Sequence, residues 1–180
     1  MAFCDPSRAL AQFKLEHGSK VADLGTGSGF YSLAAAHMVG GQGKVWAVEV
    51  QKDLASKLRN EATHRHIENL EVVWGDIERI GGTKLKEGSA DAAIVANVLF
   101  QAEDKPGLVA ETSRILRKGG RVLLIDWSDE EGARAGGLGP VSHHLVSKGA
   151  ALSLFEKGGF TLQGTIDAGD HHYGLILKKP

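Results

Sequence analysis

Short β-branched runs alternate with helix-like segments along nearly all of this 180-residue chain, and that alternation restricts the fold more than any other feature. Runs at Lys20–Leu24, Lys44–Val50, Leu70–Ile77, Asp91–Phe100 and Arg121–Asp126 read as strands, the fourth ending near Asn97. Between them fall helical patterns. Asp5-Pro6 starts a short helix with Ala9, Leu10 and Phe13 on one face, ended by His17-Gly18. Further helices are expected from Ser28 to about Val39, from Asp53 to about His66, from Asp104-Pro106 into "LRKGG", and from Ser147 to about Lys157. Strand, helix, strand in succession winds a parallel sheet through right-handed crossovers. The unbroken apolar run "RVLLID" suits a central strand covered on both faces. "FTLQGTID" and "HYGLILKK", joined by the turn "AGDH", read as a closing antiparallel hairpin.

The expectation is therefore an α/β, doubly wound domain over residues 1–180, with a mostly parallel seven-stranded sheet and an antiparallel C-terminal strand. Residues 1–19 form a cap segment. Residues 127–147, rich in glycine and without periodicity, form the longest loop, on the active face, and "ERIGGTKLKEG" reads as a polar surface loop.

Composition narrows the partners. With 21 Lys and Arg against 22 Asp and Glu, the chain has no long-range field for a polyanion or an anionic membrane. No stretch approaches a membrane span and "MAFCDPSRAL" has no signal-peptide pattern, so a cytoplasmic protein is expected. The single cysteine, Cys4, cannot form an internal disulfide and is assigned no chemistry.

The stretch "VADLGTGSGFYSLAAA", Val21 to Ala36, carries glycines at alternate positions 25, 27 and 29 between a strand and a helix. Glycine admits tight turns and close ligand approach, and the first amides of the following helix point at the ligand. That reads as a nucleotide-like site. The dinucleotide fingerprint needs a small residue three places after its second glycine, and Phe30 stands there when counting starts at Gly25. Asp23, ahead of the glycines, would repel a pyrophosphate and suits a ligand with a cationic ammonium and sulfonium.

Asp23-Leu24-Gly25-Thr26-Gly27-Ser28-Gly29 resembles the first motif of class I S-adenosylmethionine-dependent methyltransferases, and the resemblance extends over roughly residues 21–160. It is strongest to small bacterial members related to the ubiquinone/menaquinone-biosynthesis type. A Rossmann-like sheet is implied, with S-adenosylmethionine as cofactor. Glu49 ends the second strand, where a carboxylate can accept from ribose hydroxyls, and Val50 follows it. Gly75-Asp76-Ile77 stands where the family places an acid against the adenine amino group. "DAAIVANVLFQ", with Asn97, resembles the motif lining the methionine end, and "ILRKGGRVLLIDW" the helix-to-fifth-strand motif, with Lys118 where proline is usual. The cofactor set implied is Asp23, Gly25, Thr26, Gly27, Gly29, Phe30, Glu49, Val50, Gly75, Asp76, Ile77 and Asn97. Trp46 and Trp74 are taken as core or sheet-face residues.

The resemblance implies in-line methyl transfer, in which holding two reactants in line in a dehydrated pocket supplies much of the catalysis. "ANVLFQ" is not the Asn/Asp-Pro-Pro-Tyr/Phe set of amino-methylating nucleic-acid enzymes, so a small-molecule acceptor is expected and nucleic acid is not. His143, His144, His171 and His172 fall in two turns of the substrate side, where neutral imidazole can take an acceptor proton. No metal is expected: Asn97 and Asp126 stand where metal-dependent relatives carry ligands, but Trp127 occupies the third place. The short cap gives an acceptor little cover, which calls for a second subunit, a homodimer in the simplest case. Other functions compatible with the sequence are a non-catalytic S-adenosylmethionine sensor or partner subunit, a nucleic-acid or protein methyltransferase, and a nicotinamide-dependent dehydrogenase.

Overall fold

The computed structural model describes residues 4–128 and 145–180. Among the described residues twelve elements follow one another: α1 (Pro6–Phe13), β1 (Lys20–Leu24), α2 (Phe30–Val39), β2 (Lys44–Glu49), α3 (Lys52–His64), β3 (Leu70–Trp74), β4 (Ala90–Ala96), α4 (Lys105–Ile115), β5 (Leu116–Trp127), α5 (Lys148–Lys157), β6 (Thr161–Ile166) and β7 (His172–Lys178). The strands form one seven-stranded sheet in the order β3-β2-β1-β4-β5-β7-β6. β1 pairs in parallel with β2 and β4, and β7 runs antiparallel to both β5 and β6. Strand order reverses between β1 and β4, and at such a switch point the diverging loops open a crevice beyond the carboxyl ends of the strands.

The sheet buries both faces. Leu108 and Ile115 of α4 and Phe155 of α5 pack with Leu24, Val95 and Leu124 on one side. Leu10 and Phe13 of α1 and Ala35 and Val39 of α2 pack with Val21, Ile94 and Ile125 on the other. Leu123, Leu124 and Ile125 are consequently all fully buried, as the continuous apolar run requires, and each contributes about 1.5–3 kcal/mol through burial. A charge at any of them would break the sheet's centre.

Local geometry shifts three expected boundaries. α1 stops at Phe13 because Lys14 turns left-handed, while His17 packs against Gly40 at the far end of α2. α2 starts at Phe30 rather than Ser28, since Gly29 occupies its N-cap in a left-handed conformation. α4 ends at Ile115 and β5 begins at once with Leu116, beside Ala90; a register shift lets the strand resume at Arg121. Among the described residues no helix is long and apolar enough to cross a membrane.

Candidate cofactor and acceptor site

The loop after β1 is held from the neighbouring strand. Gly25 and Thr26 both donate their N–H to Val48 O, and Gly27 N–H donates to Glu49 Oε2 at 2.9 Å. The other Glu49 oxygen accepts from Gln51 N at 2.8 Å, so one carboxylate ties together the loops leaving β1 and β2 while each oxygen retains a lone pair for a ligand hydroxyl. Gly25 is left-handed at φ +75°, and a Cβ there would stand 2.7 Å from Val98 Cγ2. Gly29 serves packing: a Cβ on it would lie 2.3 Å from Leu58 of α3.

A cavity of about 630 Å³ opens at the switch point, and Gly25, Gly27, Glu49, Val50, Gly75, Asp76 and Ile77 line it together with Val98, Gln101 and Ala102. Seven of the twelve residues expected at the cofactor are thereby brought together. Asp23, Thr26, Gly29, Phe30 and Asn97 stand off its wall. Phe30 is 70% exposed and faces outer grooves beside Leu33. Asn97 holds a left-handed backbone at the end of β4, and its Oδ1 is buried without a hydrogen-bond partner among the described residues. A buried orphan acceptor beside a cavity fits a ligand donor such as an ammonium group.

Asp23 is buried and accepts a 2.5 Å hydrogen bond from Ser32 Oγ, which lies 2.6 Å from Thr26 Oγ1. Burial pushes its carboxyl up to about 6 despite those hydrogen bonds, with nearby Glu49 adding to the rise. The motif acid therefore braces the loop from within the fold. Trp74 is half exposed at the end of β3, its indole N–H donating to Val50 O and the ammonium groups of Lys52 and Lys84 over its ring. Trp46 packs against the core.

Two buried carboxylates stand behind the cavity, and neither was expected at the cofactor. Glu111 of α4 accepts from Gly81 N, Thr83 N and the Thr83 hydroxyl, and pairs with Arg114 at 2.7 Å. Burial opposes its charge, yet the hydrogen bonds from Arg114, Thr83 and Gly81 prevail and pull the carboxyl down to about 2. The segment expected as a polar surface loop is thus pinned at its middle, with Thr83 fully buried. Asp126, at the carboxyl end of β5, accepts from Phe100 N at 3.0 Å and Trp127 N at 2.7 Å, with Leu99 N and Lys105 nearby. Here burial prevails and raises the carboxyl to about 6. In the sequence Glu111 resembled any helix acid, and Asp126 stood out by ending an apolar run and by standing where metal-dependent relatives carry a ligand.

On the acceptor side, His143 and His144 lie outside the described residues. His172 opens β7, with His171 in the turn just before it, and His172 sits opposite Trp127, with ring centroids 4.3 Å apart. Both His172 ring nitrogens are buried and have no hydrogen-bond partner among the described residues. Burial, and to a lesser degree His171, lowers this imidazole to about 4, which keeps it neutral near pH 7. The cap is latched to the same turn: Gln12 donates to Asp167 O and accepts from Asp167 N, and Arg8 pairs with its carboxylate. Cys4 accepts from the Tyr31 hydroxyl at 3.1 Å, and burial raises its thiol, which favours the unreactive form.

A nucleoside-sized cavity at the switch point of a seven-stranded sheet with one antiparallel strand defines the class, that of the class I methyltransferase fold. The chain belongs to the methyltransferase-domain family, whose sequence profile matches residues 15–159. It is 35% identical over 109 residues to an arsenite methyltransferase from Halobacterium salinarum, covering 61% of this chain and 27% of that protein. It is 29% identical over 154 residues to the ubiquinone/menaquinone biosynthesis C-methyltransferase UbiE of Hahella chejuensis, covering 85% of this chain and 55% of that one. The chain thus spans about a quarter to just over half of these relatives. A solved S-adenosylmethionine-dependent methyltransferase from Aquifex aeolicus superposes with a TM-score of 0.89 at 25% identity, over 99% of this chain and 91% of that one.

Proposed function

We propose that the protein transfers a methyl group from S-adenosylmethionine to a small organic acceptor. The observation that carries this reading is the cavity itself: Glu49 and Asp76 face one space at the switch point, with the orphaned Asn97 oxygen at its margin. Glu49 would accept from the ribose hydroxyls, Asp76 and Ile77 would meet the adenine, and Asn97 Oδ1 would accept from the amino group. When bound, the cofactor supplies an electrophilic methyl on a sulfonium. His172, neutral and buried, can take onto a ring nitrogen the proton that an acceptor hydroxyl, amine or thiol gives up. Asp23, inside the fold, favours positive charge at this end of the sheet.

The relatives' names span arsenite, ubiquinone/menaquinone biosynthesis and aklanonic acid. Trivalent arsenic is soft and is held by thiolates, whereas this chain has one cysteine, whose thiol is raised by burial. An organic acceptor fits better. Calorimetry with S-adenosylhomocysteine tests the donor half, and absence of binding would sink it. Transfer of labelled methyl from the cofactor into a metabolite extract tests turnover; binding without transfer would leave a sensor or partner subunit.

A further inference from the structure

The β4–α4 connection forms the cavity wall beside Gly25, and its conformation is strained and tightly bonded. Asn97 is left-handed at φ +57°, with its N–H given to Ile125 O. Gln101 and Ala102 N–H both donate to Val98 O, closing one tight turn. Gln101 Nε2 bonds back to Asn97 O, and Lys105 Nζ to Ala102 O. Of the first free amides of that turn, that of Phe100 is received by Asp126 from behind the wall, and that of Leu99 lies near the same carboxylate. This is the arrangement of a carboxylate capping a helix N-terminus, in which a charged acceptor makes the stronger bond. Val98, the residue so held, leaves no room for a Cβ on Gly25.

We propose that Asp126 is a positioning residue for the methyl donor: by capping the 97–102 turn it sets how closely Val98, Gln101 and Ala102 stand to the cavity. The proposal rests on the donor reading above. Asp126 does not line the cavity, so it acts through the turn and not by contact. The fold also carries a cost for it, because burial raises its carboxyl and makes the ionised form unfavourable. A side chain serving stability alone would more readily be apolar there. The charged or titratable groups beside it are Lys105 of α4 and Tyr173, its register partner on β7.

The test compares full-length wild type with Asp126→Asn, in which an amide keeps one acceptor and turns a donor toward donors. At pH 8 the variant is expected to bind S-adenosylhomocysteine about tenfold or more weakly. Amide exchange at Leu99 and Phe100 should quicken, while the other strand amides keep their protection. Binding within about twofold of wild type overturns the proposal, as does weaker binding with unchanged exchange at those two amides. A wild type with no affinity for the ligand overturns the donor reading, and this proposal with it. Should Asp126→Asn fail to fold, wild-type amide resonances decide: Leu99 and Phe100 are expected to titrate near pH 6 together with the loss of ligand affinity. Resonances that do not titrate, or that titrate while affinity stays constant, overturn the proposal.

Discussion

Two buried carboxylates brace walls of the same cavity from behind, Glu111 through the loop whose Gly82 O accepts from Asp76 N and Asp126 through the 97–102 turn, yet their charges are treated differently. Glu111 has Arg114 against it, and its carboxyl is drawn down to about 2. Asp126 accepts from two amides, with a third and a lysine nearby but no ion pair among the described residues, and burial leaves it at about 6. The Gly81–Thr83 loop is therefore fastened by a group ionised at every ordinary pH, and the 97–102 turn by one that titrates just below neutrality. One wall is a fixed support. The other is tied to the protonation of a single carboxyl.

The largest expected effect comes from breaking the first support. Glu111→Ala leaves the Arg114 guanidinium, 21% exposed, without its carboxylate and orphans the Gly81 and Thr83 amides. A loss of about 3–5 kcal/mol in urea unfolding is expected; a loss below about 1 kcal/mol would mean that the pair does not support this wall.

Next comes the pH dependence, where the two groups have opposite signs. Asp126 binds its proton more readily folded than unfolded, so its contribution is complete below about pH 4 and is lost as pH rises through about 6. Glu111 contributes above its ordinary carboxylate range and loses that contribution as pH falls toward about 2. In ligand-free protein, Asp126→Asn should remove about 2–3 kcal/mol of the decline in stability between pH 4 and 7, measured by urea unfolding. Asp23, also near 6, leaves its own decline in the variant. An identical slope in both proteins would contradict the assignment.

Gly25→Ala sharpens the comparison from the cavity side. The left-handed backbone and the 2.7 Å approach to Val98 should cost about 1–2 kcal/mol of stability, and ligand affinity should fall as the added methyl pushes on the turn that Asp126 caps. Unchanged calorimetric affinity would show that Val98 is not held in place. The smallest effect belongs to the exposed Arg8–Asp167 pair: Arg8→Ala should shift stability by less than about 1 kcal/mol, because solvent screens the charges and Gln12 keeps the latch.

Legibility in the sequence follows the range of the interactions. β1, β2 and the buried core of β5 could be read because apolar alternation and continuity are local, and Glu49, Gly75 and Asp76 because they stand at strand ends. The full length of β5 could not be read, since Leu116–Gly120 joins it only through pairing beside Ala90. Phe30 was expected at the cofactor from its place after the glycines, but the left-handed Gly29 starts α2 with that ring facing outward. "ERIGGTKLKEG" looked like solvent-facing loop because nothing in those residues announces a glutamate thirty positions away.

By itself the sequence determined the α/β alternation, the glycine turn after β1 and the acids at the strand ends, all consequences of periodicity and short-range backbone chemistry. Tertiary structure alone decided which of those residues share a cavity, that Asp23 is turned inward onto Ser32, and that Glu111 and Asp126 hold its walls. The physical reason is that a carboxylate's role depends on burial and on the amides brought to it, and both are set only when distant segments pack.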